Sequence, residues 1–355
     1  MRAVVQERYG TTGVWRVAEL PVPEPGPGEV LVRVAAAALD RGTWHLMAGL
    51  PLAVRPAVGL RAPRIPVPGR DLAGEVVAVG SGVSGFAAGD AVFGTAPKGS
   101  LAEYAVAPAD RLAPAPAGLA PETAAAIGVS GQTAWQAVHT AGRVTPGASV
   151  LVLGASGGVG TFAVQVARAA GASVTAVCRT GSVDLVRGLG ATEVIDRSTT
   201  DVHRLGRRWD VVLDIGGNPP VTRLRRLLTP RGTAVLIGGE RPDARITGGY
   251  GRLLRAAALS PLLRQRLVVL VASENSTDLG HLRELVEAGE LTPVLDRTVG
   301  LDDAGAAIEH LGSGRARGKI VVRVGAGRGP DQAAERRSGT GRHQETVRQS
   351  HSTGP

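Results

Sequence analysis

The rhythm of hydrophobic and polar positions changes twice along this chain. In the first third, short apolar runs alternate with clusters of turn residues. Ala3 to Gln6, Val30 to Ala36, Leu72 to Val79 and Ala102 to Pro108 have strand character. Pro21-Val-Pro-Glu-Pro-Gly-Pro-Gly, Gly80-Ser-Gly-Val-Ser-Gly and Ala113-Pro-Ala-Pro-Ala-Gly separate them. This predicts a β-rich unit without long helices. Near Pro121 the pattern lengthens. Pro121-Glu-Thr opens a helix, with Pro and Glu in its first turn, and a second helix is expected over Thr133 to Ala141.

From Ser149 strands and helices alternate. Strands are expected at Ser149 to Leu153, Ser173 to Cys178, Glu193 to Ile195, Val211 to Asp214 and Thr233 to Ile237. Helices are expected at Val159 to Ala170, Ser182 to Leu189 and Pro220 to Leu228. Such alternation implies an α/β unit with a doubly wound parallel sheet. The second change comes late. Leu279 to Ala288 and Ala304 to Leu311 read as helices and Lys319 to Val324 as a strand. Residues 326–355 are polar and aperiodic, the pattern of a disordered tail.

Composition narrows the function classes. At 355 residues, with 43% hydrophobic and 20% charged, the chain can form two globular domains. Its 50 Gly and 23 Pro follow no period, so they read as turns. Cys178 is the single cysteine, which leaves no internal disulfide framework or multi-cysteine zinc site and suits a reducing cytoplasm. The N-terminal residues carry no apolar leader pattern. Arg255, Arg264 and Arg266 interrupt Leu253 to Ala272, so no spanning segment and no membrane partner are expected. The net charge of +9 raises the question of nucleic acid, but the arginines are scattered and aromatics make up only 3%. A field that favours an anionic cofactor is the reading that survives.

The strongest chemical signal follows the apolar strand Val150-Leu-Val-Leu153. It runs into Gly154-Ala-Ser-Gly-Gly-Val-Gly160, and a helix begins there. Small residues let the chain turn tightly, let the backbone approach a pyrophosphate and let helix pack on strand. The helix start offers free N–H groups and a positive dipole end. Ala155 stands where the G-x-G-x-x-G fingerprint has its first Gly, and Gly157 and Gly160 fill the other two places. The next strand ends in Cys178-Arg179-Thr180-Gly-Ser182 with no acid, and Arg179 lies 19 residues after Gly160. A carboxylate there would bind ribose hydroxyls. A guanidinium with two hydroxyls suits a 2′-phosphate, so NADPH is favoured over NADH.

The order of motifs resembles the zinc-free quinone oxidoreductase-like branch of the medium-chain dehydrogenase/reductase superfamily. The likeness rests on Pro25-Gly-Pro-Gly-Glu-Val-Leu-Val-Arg-Val, Pro68-Gly-Arg-Asp-Leu-Ala-Gly-Glu-Val, Val79-Gly-Ser-Gly-Val and Gly89-Asp-Ala-Val-Phe-Gly. Ala102-Glu-Tyr-Ala-Val, Gly131-Gln-Thr-Ala-Trp, the Gly154 loop, Asp210-Val-Val-Leu-Asp214 and Arg317-Gly-Lys-Ile-Val-Val complete it. It implies a GroES-like β-barrel catalytic domain over 1–122, completed by 285–325, and a Rossmann NADP-binding domain over 123–284. It also implies a homodimer, with Val268 to Ser273 as an edge strand.

By the same resemblance Ser156, Gly157, Gly158, Val159 and Gly160 hold the pyrophosphate. Thr133 matches a position near the nicotinamide. Arg197 reaches the adenosine end, and Asp214 and Gly238 end later strands on the ligand side. Relatives often show Asn-Pro-x-Asp where this chain has Asp40-Arg-Gly-Thr43. Asp40 therefore fits two roles, a polar active-site group or a helix cap. Trp44 and Met47 suit an apolar pocket wall and core packing equally, and Tyr250 is placed within reach of the cleft. No zinc ligand set exists. The expected activity is hydride transfer from NADPH to a quinone or another electrophilic carbonyl or enone. A zinc-free enoyl or alkenal reductase, an alcohol dehydrogenase and a non-catalytic NADPH-binding regulatory protein remain the alternatives.

Overall fold

A computed structural model of the chain describes residues 1–216, 218–238, 246 and 248–325. The expected tail, 326–355, lies outside the described residues. Six strands form one parallel sheet: Ser149–Leu153, Ser173–Cys178, Glu193–Asp196, Trp209–Asp214, Leu228–Leu236 and Arg266–Val269. Counted in chain order within this sheet, they lie 3-2-1-4-5-6. That order reverses between the first and fourth strands, where doubly wound sheets open a crevice at their carboxyl ends. Val150, Leu151 and Val152 are wholly buried, as a strand covered on both faces requires.

The second body is a seven-stranded sheet that is antiparallel but for one pair. Its path runs Leu295–Gly300, Lys319–Arg323, Glu29–Leu39, Asp71–Val79, Ala91–Thr95 and Leu112–Pro114, with Tyr104–Pro108 also on Glu29–Leu39. Leu295–Gly300 and Lys319–Arg323 are the parallel pair. The late strand Lys319–Arg323 inserts beside Glu29–Leu39, so the end of the described chain completes the sheet its beginning started. Arg2–Gln6 and Trp15–Glu19 form a separate two-stranded ribbon.

One apolar cluster joins the two bodies. It runs from Ala36, Ala38 and Phe93 of the antiparallel sheet, past Ile127 and Ala134, to Val150, Val152 and Phe162 of the parallel one. The helices Pro121–Ala125 and Gly128–Gln136 sit in this seam. The second begins five residues before the expected Thr133, and a π-helical turn, Ala137–Ala141, continues it. Gly128 sits within the α-helix for a tertiary reason, since a Cβ there would lie 2.4 Å from Asp71 Oδ1. The edge strand also differs from expectation. It covers Arg266–Val269, because Ser273 and Asn275 are drawn onto the Gly128–Gln136 helix instead. Asn275 N–H donates to Gln132 Oε1 at 2.7 Å and Ser273 N–H to Gln136 Oε1 at 3.0 Å.

Candidate functional site

The phosphate loop fills the turn between Ser149–Leu153 and helix Gly158–Ala169. Gly154 has φ +92°, and a Cβ there would approach Gly216 N to 2.9 Å, at the end of the neighbouring strand. At Gly160 a Cβ would lie 2.1 Å from Gly154 O. The fold itself demands these two glycines. Gly157 is different. It caps the helix with φ −84°, and a Cβ there would meet only Gly154 O, at 3.7 Å. Among the described residues no packing contact requires glycine at this position. No side chain caps the helix there, and its first N–H groups remain for an anion. Ser156 is half-buried beside them, and its carbonyl accepts from Gly318 N–H at 2.9 Å. Val159 is half-buried in the first turn.

Arg179 and Thr180 follow the second strand, and both are exposed. Arg179 Nη1 donates to Gly314 O at 2.9 Å, and Arg317 Nη1 donates to Gly181 O at 2.8 Å. The two bodies thus exchange arginine contacts beside this turn. Thr180 hydrogen-bonds the Asp196 carboxylate and helps hold its pKa below the usual range. Ser182 is buried, its N–H bonded to Arg179 O at 2.9 Å. Arg197 is exposed at the end of the third strand, its N–H on Cys178 O at 2.9 Å. Arg179, Thr180 and Arg197 therefore come together at one end of the crevice.

Asp40 caps helix Arg41–Ala48. Its Oδ1 accepts from Thr43 N–H at 2.7 Å and from Thr43 Oγ1 at 3.2 Å. Its Oδ2 is buried and lacks a hydrogen-bond partner among the described residues. The cap role and an unsatisfied acceptor thus coexist on one side chain. Thr133 is buried, and its hydroxyl donates to Val129 O at 2.7 Å, which leaves its oxygen able to accept.

Some expected site residues go elsewhere. Met47 is 1% exposed and belongs to the core of the antiparallel sheet, not to a pocket wall. Trp44 packs on that core under Arg41, whose guanidinium lies 4.4 Å from its ring centre. Asp214 is fully buried and paired with Arg252, whose guanidinium also donates to Asn218 Oδ1 at 2.9 Å and to Gly238 O at 3.2 Å. These contacts tie helix Tyr250–Leu259 to the strand ends, so Asp214 and Gly238 serve the fold through them. Burial lowers the Arg252 guanidinium to about 10. The Tyr250 side chain lies outside the described residues.

A buried group that sequence reasoning missed lies beneath the loop. Lys319 Nζ donates to Asp71 Oδ2 at 2.8 Å and to Ser130 Oγ at 3.1 Å. Asp71 Oδ1 accepts from Val129 N–H at 2.6 Å. A Cβ on Gly158 would lie 3.1 Å from Lys319 Cδ and 3.4 Å from Ser130 Oγ, so this trio supports the first turn of the phosphate helix. Burial pushes the Asp71 carboxyl up to about 6, against the pull of Lys319 and with a further push from the charge on Asp40. The signal was half present. Asp71 and Lys319 both lie in motifs quoted above, but 248 residues separate them.

Comparison with known proteins gives the site a family. The alcohol dehydrogenase GroES-like domain family matches residues 26–117, and the zinc-binding dehydrogenase family matches 189–322. The chain is 34% identical over 338 residues to the chloroplastic quinone-oxidoreductase QR1 of Triphysaria versicolor, covering 91% of this chain and 98% of that protein. It is 32% identical to the mitochondrial NAD(P)H oxidoreductase RTN4IP1 of Mus musculus, covering 91% and 89%. Among solved structures, the quinone oxidoreductase from Coxiella burnetii superposes with a TM-score of 0.79 at 28% identity, covering 91% and 99%.

Proposed function

Because the chain belongs to the quinone oxidoreductase-like branch of the medium-chain dehydrogenase/reductase superfamily, and is thereby an NAD(P)-dependent oxidoreductase, we propose that it uses NADPH to reduce a quinone or another electrophilic carbonyl or enone, without zinc. The observation that carries this reading is the uncapped start of helix Gly158–Ala169, where a Cβ on Gly157 would meet only Gly154 O. The backbone of Gly157, Gly158 and Val159 would hold the pyrophosphate. Arg179, Thr180 and Arg197 would take the 2′-phosphate end, where a carboxylate at the tip of the second strand would have repelled it.

The bound nicotinamide supplies the hydride. The protein's share is orientation and water exclusion. Thr133 offers a hydroxyl oxygen fixed by its bond to Val129 O. Asp40 offers an unsatisfied carboxylate oxygen that can accept from an ordered donor. One matched family is described as zinc-binding, so the donor set bears on the proposal. Among the described residues, no three His, Cys, Asp or Glu side chains are grouped to hold a metal ion. Cys178 is buried, and burial raises its thiol pKa. These residues do not fit a zinc centre. A homodimer through the sheet edge at Arg266–Val269, in the cytoplasm, belongs to the same proposal.

Titration of NADPH against NADH, coupled to turnover with quinones, enones and aldehydes, tests the reading. Product analysis separates quinone reduction from C=C reduction. Tight NADPH binding with no turnover on any acceptor refutes the catalytic assignment, and equal affinity for both dinucleotides refutes the role of Arg179. Activity lost on chelation and restored by zinc refutes the metal-free assignment.

A further inference from the structure

Between helix Arg41–Ala48 and strand Asp71–Val79 the chain makes a compact excursion. It contains the 3₁₀ turn Leu52–Val54 and the single helical turn Arg55–Val58, and it returns where Arg64 N–H donates to Val58 O at 2.9 Å. Several of its polar groups bond within the protein. Arg55 Nε donates to Gly49 O at 3.0 Å, and its guanidinium lies 4.6 Å from the Tyr9 ring centre. Tyr9 Oη donates to Gly59 O at 2.7 Å.

The aliphatic side chains face outward. Leu60 is 69% exposed, Ile65 45% and Leu52 40%. Ile246, 68% exposed, adds to them from the other body, its carbonyl accepting from Ala53 N–H at 3.2 Å. Exposed aliphatics concentrated in one compact segment are what an interaction surface requires, whereas the same residues scattered singly would mean nothing. The charge of the segment says which partner. No Asp or Glu occurs between Asp40 and Asp71, while Arg41, Arg55, Arg61, Arg64 and Arg70 do. Arg61 and Arg64 are exposed between Leu60 and Ile65.

We propose that this face seats on the surface of an anionic lipid bilayer, with Leu52, Leu60 and Ile65 entering the headgroup boundary and Arg61 and Arg64 meeting lipid phosphates. A bilayer takes aliphatic tips and cations together. From the sequence no membrane partner is expected, because no apolar run is long enough to span one, and surface seating departs from that expectation. No helix among the described residues is long and apolar enough to cross, and surface seating needs no crossing segment. The proposal concerns where the protein sits and is independent of what it reduces.

The test is flotation of the full chain with phosphatidylcholine vesicles, with and without phosphatidylglycerol, beside a Leu60→Ser/Ile65→Ser variant. The variant leaves every charge in place, so arginines elsewhere in the chain act equally in both proteins. Circular dichroism and cofactor titration establish that it folds. The expected result is flotation only with phosphatidylglycerol, weakened about tenfold or more in the variant. Equal flotation of the two proteins, or none of either, overturns the proposal. So does a variant that changes the sedimentation of the lipid-free protein, which would assign the face to a second copy.

Discussion

Replacing Lys319 with Met should cost far more stability at pH 8 than at pH 5. Lys319 is 1% exposed and Asp71 is fully buried, so each is the other's main compensation for lost water. The rise of the Asp71 carboxyl from 3.8 to about 6 means its ionised form is disfavoured in the fold by about 3 kcal/mol. The folded state holds the Asp71 proton more tightly than the unfolded chain does. The carboxyl therefore favours folding fully below pH 3.8, and that advantage is lost as pH rises through about 6.

Without Lys319 the chief opposing pull disappears, and Asp71 keeps its proton to still higher pH. At pH 5 the carboxyl is protonated in both proteins, and the variant loses only hydrogen bonds, about 1–2 kcal/mol. At pH 8 the wild type holds an ion pair. The variant must bury a lone carboxylate or hold a proton against the solution, a loss of about 3–5 kcal/mol. Guanidinium unfolding followed by tryptophan fluorescence reads both values, with Trp209 buried in the parallel sheet as a reporter. Adding Asp71→Asn should remove the pH difference. A Lys319→Met loss that is the same at pH 5 and pH 8 refutes the coupling.

Four further substitutions have expected outcomes, three at the site and one away from it. Arg179→Asp should weaken NADPH binding about tenfold or more and leave NADH nearly unchanged, as isothermal titration will read. Gly157→Ala should shift folding stability by no more than about 0.5 kcal/mol yet weaken cofactor binding severalfold. Gly160→Ala, whose Cβ would lie 2.1 Å from Gly154 O, should cost about 1–3 kcal/mol, so thermal unfolding of the pair distinguishes ligand space from packing. Glu274 pairs with Arg70 and Arg111 and accepts from Thr95 Oγ1 at 2.9 Å. The half-exposed arginines limit the loss, and Glu274→Gln should cost about 1–2 kcal/mol by calorimetry.

The parallel sheet was legible because strands covered on both faces are continuous apolar runs. Ser149–Leu153 and Ser173–Cys178 lie where those runs put them. The antiparallel sheet was legible only in part. Leu112–Pro114 is three residues long, and Leu295–Gly300 is largely open to solvent, so neither carries a strong pattern. Leu228–Leu236 begins ahead of the expected Thr233 and passes through Pro230 and Gly232, which read as a turn. Of the site, the loop and Arg179 came from local spacing. The Lys319, Asp71 and Ser130 trio did not, because it exists only once Lys319–Arg323 inserts beside Glu29–Leu39. Asp214 shows the opposite failure. It ends an informative motif, and burial gives it to the fold. Met47, for which pocket wall and core packing stood equal, is decided for the core.

The bridge between Gly157 and Gly318 has a kinetic consequence. Gly318 N–H holds Ser156 O at 2.9 Å, and Gly154 and Ala155 N–H both bond Val177 O. A loop fastened to a strand of one sheet and to the residue just ahead of a strand of the other is ordered before any ligand arrives. Its conformational entropy is lost at folding, not at binding, which makes it a preorganised receptor. Phosphate capture should then proceed in one step, with an association rate set by collision and by the field of a +9 protein. That rate should fall steeply with added salt, and no slow isomerisation should follow it.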